Sequence, residues 1–443
     1  MASEKKSGWK KTRKFFNDVH LWLGLGSGLI VIFICFSGTI YVYNTELREM
    51  SLSELYTLQS TPDAEPLSAE IIIDRVEKSA GGKATIVKIP ADKNRLWQVS
   101  IKKEENPQSM VDPKRNGKNE TPKTSGSASK PSPNTVYSVN QYTGDIVGDL
   151  SNTKTSTTEL MRTMFSLHRW LMLDRVEEPI FGELPNKKLG SYITGSATIL
   201  FTIGVLTGLV IWFPQKLKNW KQGLKVKWNA NFKRVNHDLH NTFAFYSMIF
   251  LFLMGITGPQ WSFPWYREGL QKTLGAYHPP DEPRPEPPKS IVPLSGDFQK
   301  LSLKEYIAVA GRTLDYAGDY SINLPTDSTS VVTINKTRTG FFAPSAGDKL
   351  MLDQYTADLA AVEIFRDKPF NERIAGSIKA LHLGDVYGKF SKLLYFFACL
   401  VATSLPITGT IIWLNKLKKK RAKKESKAAI ALKGQQVHPV GSR

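Results

Sequence analysis

Four stretches of the chain contain no Asp, Glu, Lys or Arg, and they restrict its fold more than any other feature. They cover residues 19–45, 189–215, 239–266 and 393–415. Each is long enough to cross a bilayer as an α-helix, since a hydrocarbon core of about 30 Å requires roughly 20 residues. The sequence therefore predicts a membrane protein with four transmembrane helices.

The net positive charge lies on three short segments that flank these stretches. Residues 1–18 carry 6 basic and 2 acidic side chains, residues 216–238 carry 7 and 1, and residues 416–443 carry 10 and 1. These segments therefore hold the whole net charge of +19. An even number of crossings places all three on one side, and basic flanks mark the cytoplasmic side. We expect both termini in the cytoplasm, where anionic lipids attract the lysines, and we expect no nucleic-acid partner.

The basic segment 1–18 is predicted to be a cytoplasmic leader before an uncleaved anchor. The apolar stretch that follows it is too long for a signal peptide, and no small-residue cleavage site comes after it. Both cysteines, Cys35 and Cys399, fall within predicted spans. The exported segments therefore have no cysteines from which to build disulfides.

The two exported segments, residues 46–188 and 267–392, each have the pattern of a small α+β domain. A helical pattern precedes strand-like runs in both, and "YSVNQYTGDIVGDL" in the first resembles "KLMLDQYTADLAAVEI" in the second. The first hairpin is expected to turn at Thr143 and Gly144. Residues 104–134 are rich in Pro, Ser, Lys and Asn and nearly free of apolar side chains, which predicts a disordered insertion.

Matched motifs recur along the chain and indicate an internal repeat. They are "NDVH" (17–20) with "HDLH" (237–240), "TGLVIW" (207–212) with "TGTIIW" (408–413), and "FSLHRWL" with "KALHLGD". The histidines of the last two follow Gln141 and Gln354 of the paired hairpins by 27 and 28 residues. The sequence therefore predicts two parallel copies of one unit, each with two spans and an exported domain, related by an axis along the membrane normal.

Four of the seven histidines occupy matched positions in this repeat. The topology places His20 with His240 on the cytoplasmic side and His168 with His382 on the exported side. A single histidine at a membrane interface is more often a helix-end or headgroup contact, but four matched ones favour ligation. A pseudo-two-fold axis brings equivalent side chains face to face, as a haem iron with two histidine ligands requires. Two ligands make a poor cage for zinc or copper, so we expect two haems.

One further histidine competes for the cytoplasmic ligand position. His237 lies three positions before His240 on the same helical face, but its repeat counterpart is Asn17. We therefore prefer His240 as the ligand and expect His237 to support the haem or contact a propionate. His278 and His438 are expected in solvent. The glycines of "LGLGSG" and "ITG" suit either close helix packing or the approach of a flat porphyrin.

The motifs "HLWLGL", "SLHRWL", "TGLVIWFP", "DLH", "LHLGD" and "QYTGDIVG" resemble those of the PepSY-associated transmembrane family of bacterial inner-membrane proteins. The resemblance covers nearly the whole chain and is weak in residues 104–134. It implies two periplasmic PepSY-like domains and two b-type haems. It also implies an oxidoreductase that reduces an Fe(III)-siderophore or similar chelate and releases Fe(II) for iron uptake.

The electron donor and the function class are left open by the sequence. It contains no dinucleotide-binding fingerprint and no flavin domain, so we expect a separate cytoplasmic donor protein or quinol. PepSY modules are also associated with peptidase inhibition and sensing. A membrane-anchored regulator without redox chemistry is therefore the second hypothesis, and a carrier that delivers haem is the third.

Overall fold

The computed structural model describes most of the chain, namely residues 2–60, 63–103, 134–214, 217–283, 286–293 and 301–436. The predicted insertion at 104–134, apart from Asn134, and His438 lie outside this part. The helices are α1 (Ala2–Tyr41), α2 (Asn44–Ser51), α3 (Ala69–Ala80), α4 (Ser156–Trp170), α5 (Asn186–Trp212), α6 (Phe232–Thr257), α7 (Pro264–Thr273), α8 (Leu303–Thr313), α9 (Phe370–Gly376), α10 (Ile378–Leu383) and α11 (Gly388–Gln436). The strands are β1 (Gly82–Ile89), β2 (Trp97–Lys103), β3 (Thr135–Val139), β4 (Ile146–Asp149), β5 (Gly318–Asn323), β6 (Val332–Arg338), β7 (Asp348–Leu352) and β8 (Leu359–Glu363).

Four helices in the described part are long and apolar enough to cross a membrane. They span Lys11–Tyr41, Asn186–Trp212, Phe232–Trp261 and Gly388–Ala429. This confirms the predicted membrane protein with four apolar helices. In the bundle, α1 packs mainly against α5 and α11, and α6 packs against the same two helices. Helices α1 and α6 therefore face each other across the bundle.

Small and hydroxyl-bearing side chains bring the bundle helices close together. Gly255 of α6 packs against the Thr202 side chain of α5 with no room for a Cβ atom. Thr202 donates a hydrogen bond to the carbonyl of Thr198 at 2.7 Å, so its hydroxyl is satisfied within its own helix. The buried apolar centre of the bundle contains Leu251, Ala398 and Ala402. Close packing of this kind replaces the hydrophobic effect, which does not act between helices in lipid.

The strands form one antiparallel sheet in the order β4-β3-β2-β1-β5-β6-β7-β8. The two halves of the chain each contribute four strands, and they meet where β1 pairs with β5. At this junction Ile86 is opposite Asn323 and Ile89 is opposite Tyr320. The sequence predicts two α+β domains and does not predict this pairing, because alternation of apolar residues identifies a strand without identifying its neighbour.

Helices α3 and α8 supply apolar side chains to the core at the sheet. Ile72 and Val76 of α3 pack with strand residues of the first half, and Tyr306 and Ala310 of α8 pack with those of the second. Each fully buried large aliphatic side chain contributes about 1.5–3 kcal/mol to folding. The two halves are also joined by a hydrogen bond of 2.6 Å from the Leu303 N–H to the Glu70 carboxylate.

The two hairpins at the outer ends of the sheet are built alike. Asn140 accepts a hydrogen bond from the Tyr142 N–H at 2.9 Å, and Asp353 accepts one from the Tyr355 N–H at 2.7 Å. The first turn, predicted at Thr143 and Gly144, has Gly144 at φ +74°, and the second has Ala357 at φ +59°. The glutamine after each turn-starting residue bonds to carbonyls of a neighbouring loop: Gln141 to Lys93 and Arg95, and Gln354 to Asp327 and Ser330.

Candidate functional site

The first histidine pair lies at the end of the bundle that carries the basic segments. His20 is in α1, and His240 is in the third turn of α6. The Asn231 side chain caps the start of α6 by accepting a hydrogen bond from the Arg234 N–H at 3.0 Å. Because α1 and α6 face each other across the bundle, the two imidazoles meet. Their ring centres are 6.3 Å apart and their planes are inclined by 84°. We call His20 and His240 the basic-end pair.

The second pair lies at the opposite end of the bundle, next to the sheet. His168 is in the last turn of α4, whose start has a capping box between Thr155 and Thr158. His382 is in the short helix α10, which is followed by Gly384 with φ +79° and no room for a Cβ atom. The ring centres of His168 and His382 are 6.1 Å apart and their planes are inclined by 71°. We call them the sheet-end pair.

All four imidazoles are hydrogen-bonded through Nδ1 to a neighbouring helix. The contacts are His20 to the Gly204 carbonyl at 3.0 Å and Thr207 Oγ1 at 3.1 Å, His240 to Thr408 Oγ1 at 2.9 Å, His168 to the Ile34 carbonyl at 2.9 Å, and His382 to Thr257 Oγ1 at 3.0 Å. A carbonyl accepts, so His20 and His168 carry the proton on Nδ1. Nε2 then keeps its lone pair, which is the form that binds metal.

The two threonine contacts lead to the same tautomer. Thr408 donates its hydroxyl hydrogen to the Ser404 carbonyl at 3.0 Å, and Thr257 donates to the Leu253 carbonyl at 2.6 Å. Each hydroxyl oxygen therefore accepts from its histidine, and Nδ1 of His240 and of His382 carries the proton. The lone pairs of both pairs are thus on the Nε2 atoms.

Each imidazole also packs against a glycine of the neighbouring helix. A Cβ atom added to the glycine would lie 3.2 to 3.4 Å from Cε1 of the histidine in four contacts: Gly208 with His20, Gly409 with His240, Gly38 with His168, and Gly258 with His382. The dipeptides Thr207–Gly208 and Thr408–Gly409 therefore hold a histidine by both hydrogen bond and close packing. The sequence shows this repeated dipeptide but does not assign it to the histidines.

A cavity of about 600 Å³ opens beside the basic-end pair. His20 and His240 both line it, together with Gly24 and Gly204, where a Cβ atom would meet nothing within 4 Å. Exposed lysines of α11 also line it, namely Lys416, Lys419, Lys420 and Lys423. The cavity is therefore apolar near the imidazoles and positively charged along α11.

His237 lines this cavity but does not face His20. Its side chain is 50% exposed, and its ring is hydrogen-bonded by the Asn241 amide at 3.1 Å. The neighbouring Asp238 is buried and accepts hydrogen bonds from Arg234 Nε at 3.0 Å and from the Lys227 N–H at 3.3 Å. Asp238 therefore holds the start of α6, and the imidazole opposite His20 belongs to His240.

The sheet-end pair is enclosed by side chains. The ring of Trp261, in the short 3-10 helix Pro259–Trp261, lies 4.9 Å from the ring of His382. Arg169 donates hydrogen bonds to Ser262 at 2.9 Å and to the Trp261 carbonyl, which fixes this segment beside the pair. Burial lowers the pKa of both His168 and His382, so both imidazoles are neutral near pH 7, as metal ligation requires.

The ring-centre distances of 6.3 Å and 6.1 Å would allow both histidines of each pair to hold one haem iron. Metal–nitrogen bonds of about 2 Å, with each ring centre roughly 1 Å beyond its nitrogen, place two opposed imidazole centres about 6 Å apart. Within the described ranges, no group of three or more His, Cys, Asp or Glu side chains is arranged to hold a free metal ion. At the basic-end pair, the open space beside Gly24 and Gly204 would also admit a flat macrocycle that brings its own four nitrogens.

The fold and these pairs define an integral membrane protein of four apolar helices with histidines paired across the bundle. The profile of the family described as the PepSY-associated TM region matches residues 18–416. The chain belongs to the PepSY-associated transmembrane family, as its sequence motifs indicate. No curated protein sequence matches the chain significantly.

Proposed function

We propose that each histidine pair binds one b-type haem and that the chain conducts electrons across the membrane. The observation that carries this proposal is the double occurrence of facing imidazoles, with ring centres 6.3 Å and 6.1 Å apart. His20 and Gly38, which packs against His168, are 18 positions apart on α1 (20 to 38). At 1.5 Å per residue this is roughly 27 Å, close to the thickness of a hydrocarbon core.

The proposed architecture is two parallel copies of one unit, each with two spans and one PepSY-like domain. The strand order supports it, since each half contributes four consecutive strands outward from the β1–β5 junction. The matched contacts of Thr207 with His20 and of Thr408 with His240 also support it. An axis along the membrane normal relates such copies.

We place the chain in the bacterial inner membrane with the basic end in the cytoplasm and the sheet in the periplasm. The positive-inside rule supports this orientation, because residues 1–18, 216–238 and 416–443 hold the whole net charge. Electrons would then enter at the basic-end pair and leave at the sheet-end pair. The donor would be a cytoplasmic protein or quinol.

Haem supplies a one-electron carrier when bound, and the residues of this chain hold and tune it. Their hydrogen bonds at Nδ1 fix the imidazoles and raise the basicity of Nε2. Exposed lysines of α11, including Lys416 and Lys420, line the cavity together with His237 and would provide partners for haem propionate carboxylates. The low dielectric around His168 and His382 favours neutral ligands.

The proposed reaction is reduction of a periplasmic Fe(III)-siderophore or similar chelate. One electron converts chelated Fe(III) to Fe(II), which hard oxygen ligands bind far more weakly, so the iron is released without breaking the ligand. The protein would thus be an oxidoreductase for iron uptake. No protein side chain needs to act as an acid, base or nucleophile.

The experiment that tests this function uses the purified protein in liposomes. After reduction with dithionite, the haem absorption bands should return to the oxidised form when an Fe(III)-hydroxamate chelate is added, and ferrozine should trap Fe(II) at the same rate. Reduced bands that persist with several Fe(III) chelates would overturn the proposal. A colourless protein from haem-replete cells would favour the membrane-anchored regulator instead.

A further inference from the structure

A second cavity, of about 570 Å³, opens at the sheet end of the bundle. Its walls come from the end of α4, the start of α5 and residues 259–267, which comprise part of the connection between α6 and α7 and the first turn of α7. The side chains that carry the argument are Trp170, Lys187, Lys188, Tyr192, Trp261 and Arg267. We call this cavity the interfacial pocket.

The elements that form the interfacial pocket pack closely against each other at two glycines, where even a Cβ atom would not fit. Gly190 of α5 packs against the backbone of Trp170 so closely that a Cβ atom would overlap its carbonyl. Gly195, one turn further along α5, would place a Cβ atom 2.6 Å from the Cβ of Ser262. Tyr192 stacks on Phe263 with ring centres 5.6 Å apart and planes inclined by 6°. The pocket is therefore formed by rigid elements.

The interfacial pocket is positively charged. The Lys187 ammonium lies 4.2 Å from the ring centre of Trp170, and the Lys188 ammonium lies 5.8 Å from that of Tyr192. Arg267 is the third cation among the lining residues, and none of the lining residues is a carboxylate. Aromatic walls with unbalanced cations suit an anionic ligand that also has flat or apolar faces.

The interfacial pocket also touches the sheet-end pair through one side chain. Trp261 lines the pocket with 43% of its surface exposed, and its ring lies 4.9 Å from that of His382. Arg169, next to His168 in the sequence, is hydrogen-bonded to Ser191 and Ser262, which also line the pocket. A ligand in the pocket would therefore be separated from the histidines by a single aromatic ring.

We propose that the interfacial pocket binds an anionic, oxygen-rich Fe(III) chelate and that Trp261 is its contact with the sheet-end pair. This inference rests on the proposed function. In the proposed reaction a haem held by His168 and His382 would give up one electron, and the chelated Fe(III) would take up this electron to become Fe(II). The cytoplasmic donor or quinol then returns the electron to the protein. No bond to the protein forms or breaks.

A redox-inert probe separates this inference from the electron-transfer function. Gallium(III) tris-catecholate has the charge and shape of the Fe(III) complex but accepts no electron, so its binding does not depend on haem reduction. The full-length protein in phosphatidylcholine nanodiscs should bind it in equilibrium dialysis with gallium quantified in each chamber. Binding should weaken as salt is raised, and a neutral gallium trihydroxamate should bind more weakly. Equal binding of both complexes would overturn the anionic preference.

The decisive variant removes the charges of the two lysines that line the interfacial pocket. Lys187→Gln with Lys188→Gln should weaken gallium tris-catecholate binding on the order of tenfold, because two exposed charges at the pocket are lost at ordinary ionic strength. Lys102→Gln with Lys103→Gln is the matched control, since it removes an adjacent exposed pair from β2 of the sheet, and it should leave binding unchanged. Equal weakening in both double variants would show general surface attraction and overturn the site.

A lipid headgroup has the same anionic oxygen chemistry, and the bilayer composition tests for it. Adding phosphatidylglycerol to the nanodiscs should lower gallium chelate binding only slightly if the pocket is a chelate site. Loss of all chelate binding in its presence would assign the pocket to a headgroup and overturn the proposal.

Trp261 has its own control in Trp265, which is 64% exposed and lies outside the lining of the pocket. Trp261→Leu should weaken binding of the gallium chelate several-fold by removing an aromatic face, while Trp265→Leu should not. The absorption spectrum of the proposed sheet-end haem should be retained in both variants. Unchanged gallium binding in Trp261→Leu would overturn the assigned contact.

Discussion

The two histidine pairs share one construction and differ in their surroundings. In both, the imidazoles face each other at about the same distance, bond through Nδ1 and pack on a glycine. The basic-end pair opens to a cavity of about 600 Å³ lined by lysines of α11. The sheet-end pair is enclosed by Trp261 and by the segment that Arg169 holds.

The comparison separates the contacts that the two pairs share from the surroundings in which they differ. Threonine–glycine and related contacts on the neighbouring helix fix the imidazole geometry, and they recur at matched positions such as Thr207 and Thr408. The segments outside the bundle differ in each half, and they determine what can approach each pair. Under the proposed function, the basic-end pair would exchange electrons at the basic end and the sheet-end pair would exchange them at the sheet end.

The largest expected effect comes from removing one of the four histidines that are proposed to bind haem. His168→Ala and His382→Ala should each lose about one haem of two, the same one, while the other haem is retained as an internal control for folding. His20→Ala and His240→Ala should lose the other haem. Pyridine-haemochrome assays and difference spectra measure this. Joint loss of one haem in His20→Ala and His168→Ala would contradict the pairing.

The second largest effect is expected when a bulky residue replaces the glycine that packs against a histidine, because it should affect one pair and not the other. Gly208→Val would push its side chain into the His20 imidazole, at a cost of about 1–3 kcal/mol for overpacking. The basic-end haem should therefore be partly lost or become high-spin, with the sheet-end haem unchanged. Gly26→Ala is the control, because a Cβ atom there meets nothing within 4 Å. A wild-type spectrum for Gly208→Val would show that the glycine contact is unimportant.

Removing the hydroxyl that accepts from Nδ1 should have a smaller effect. Thr408→Val keeps the shape of the side chain but removes the hydroxyl oxygen that accepts from His240 Nδ1, so haem retention should weaken roughly tenfold. Transfer of haem to apomyoglobin over time measures it. Thr403→Val removes a hydroxyl that bonds only within α11 at 2.9 Å and should lose haem at the wild-type rate. Identical rates of haem loss in the two variants would contradict a role of the Thr408 hydroxyl in haem retention.

The smallest expected effect is that of His237→Ala. Because the exposed His237 ring lines the cavity without facing His20, the variant should keep two haems and shift only the midpoint potential of the basic-end haem. Redox titration followed by absorption measures the shift. Loss of that haem in His237→Ala, together with its retention in His240→Ala, would exchange the roles of the two residues.

Much of this arrangement can be predicted from the sequence because it depends on local pattern. The charge-free stretches predict the four apolar helices, and the matched motifs place His20 with His240 and His168 with His382. The contacts of Thr257 and Ile34 with the histidines depend on how neighbouring helices are rotated against each other, which no local pattern specifies. The pairing of β1 with β5 likewise joins strands that are far apart in the sequence, so no local pattern specifies it.

The haem content of the purified wild-type protein is the most direct measurement. If both pairs bind haem iron through Nε2, fully loaded protein should contain about two b-type haems per chain, low-spin in both oxidation states. Total iron and pyridine-haemochrome assays on the same sample give the ratio. Less than about one haem per chain after expression with ample haem would contradict the proposal that facing imidazoles at both ends of the bundle are ligand pairs.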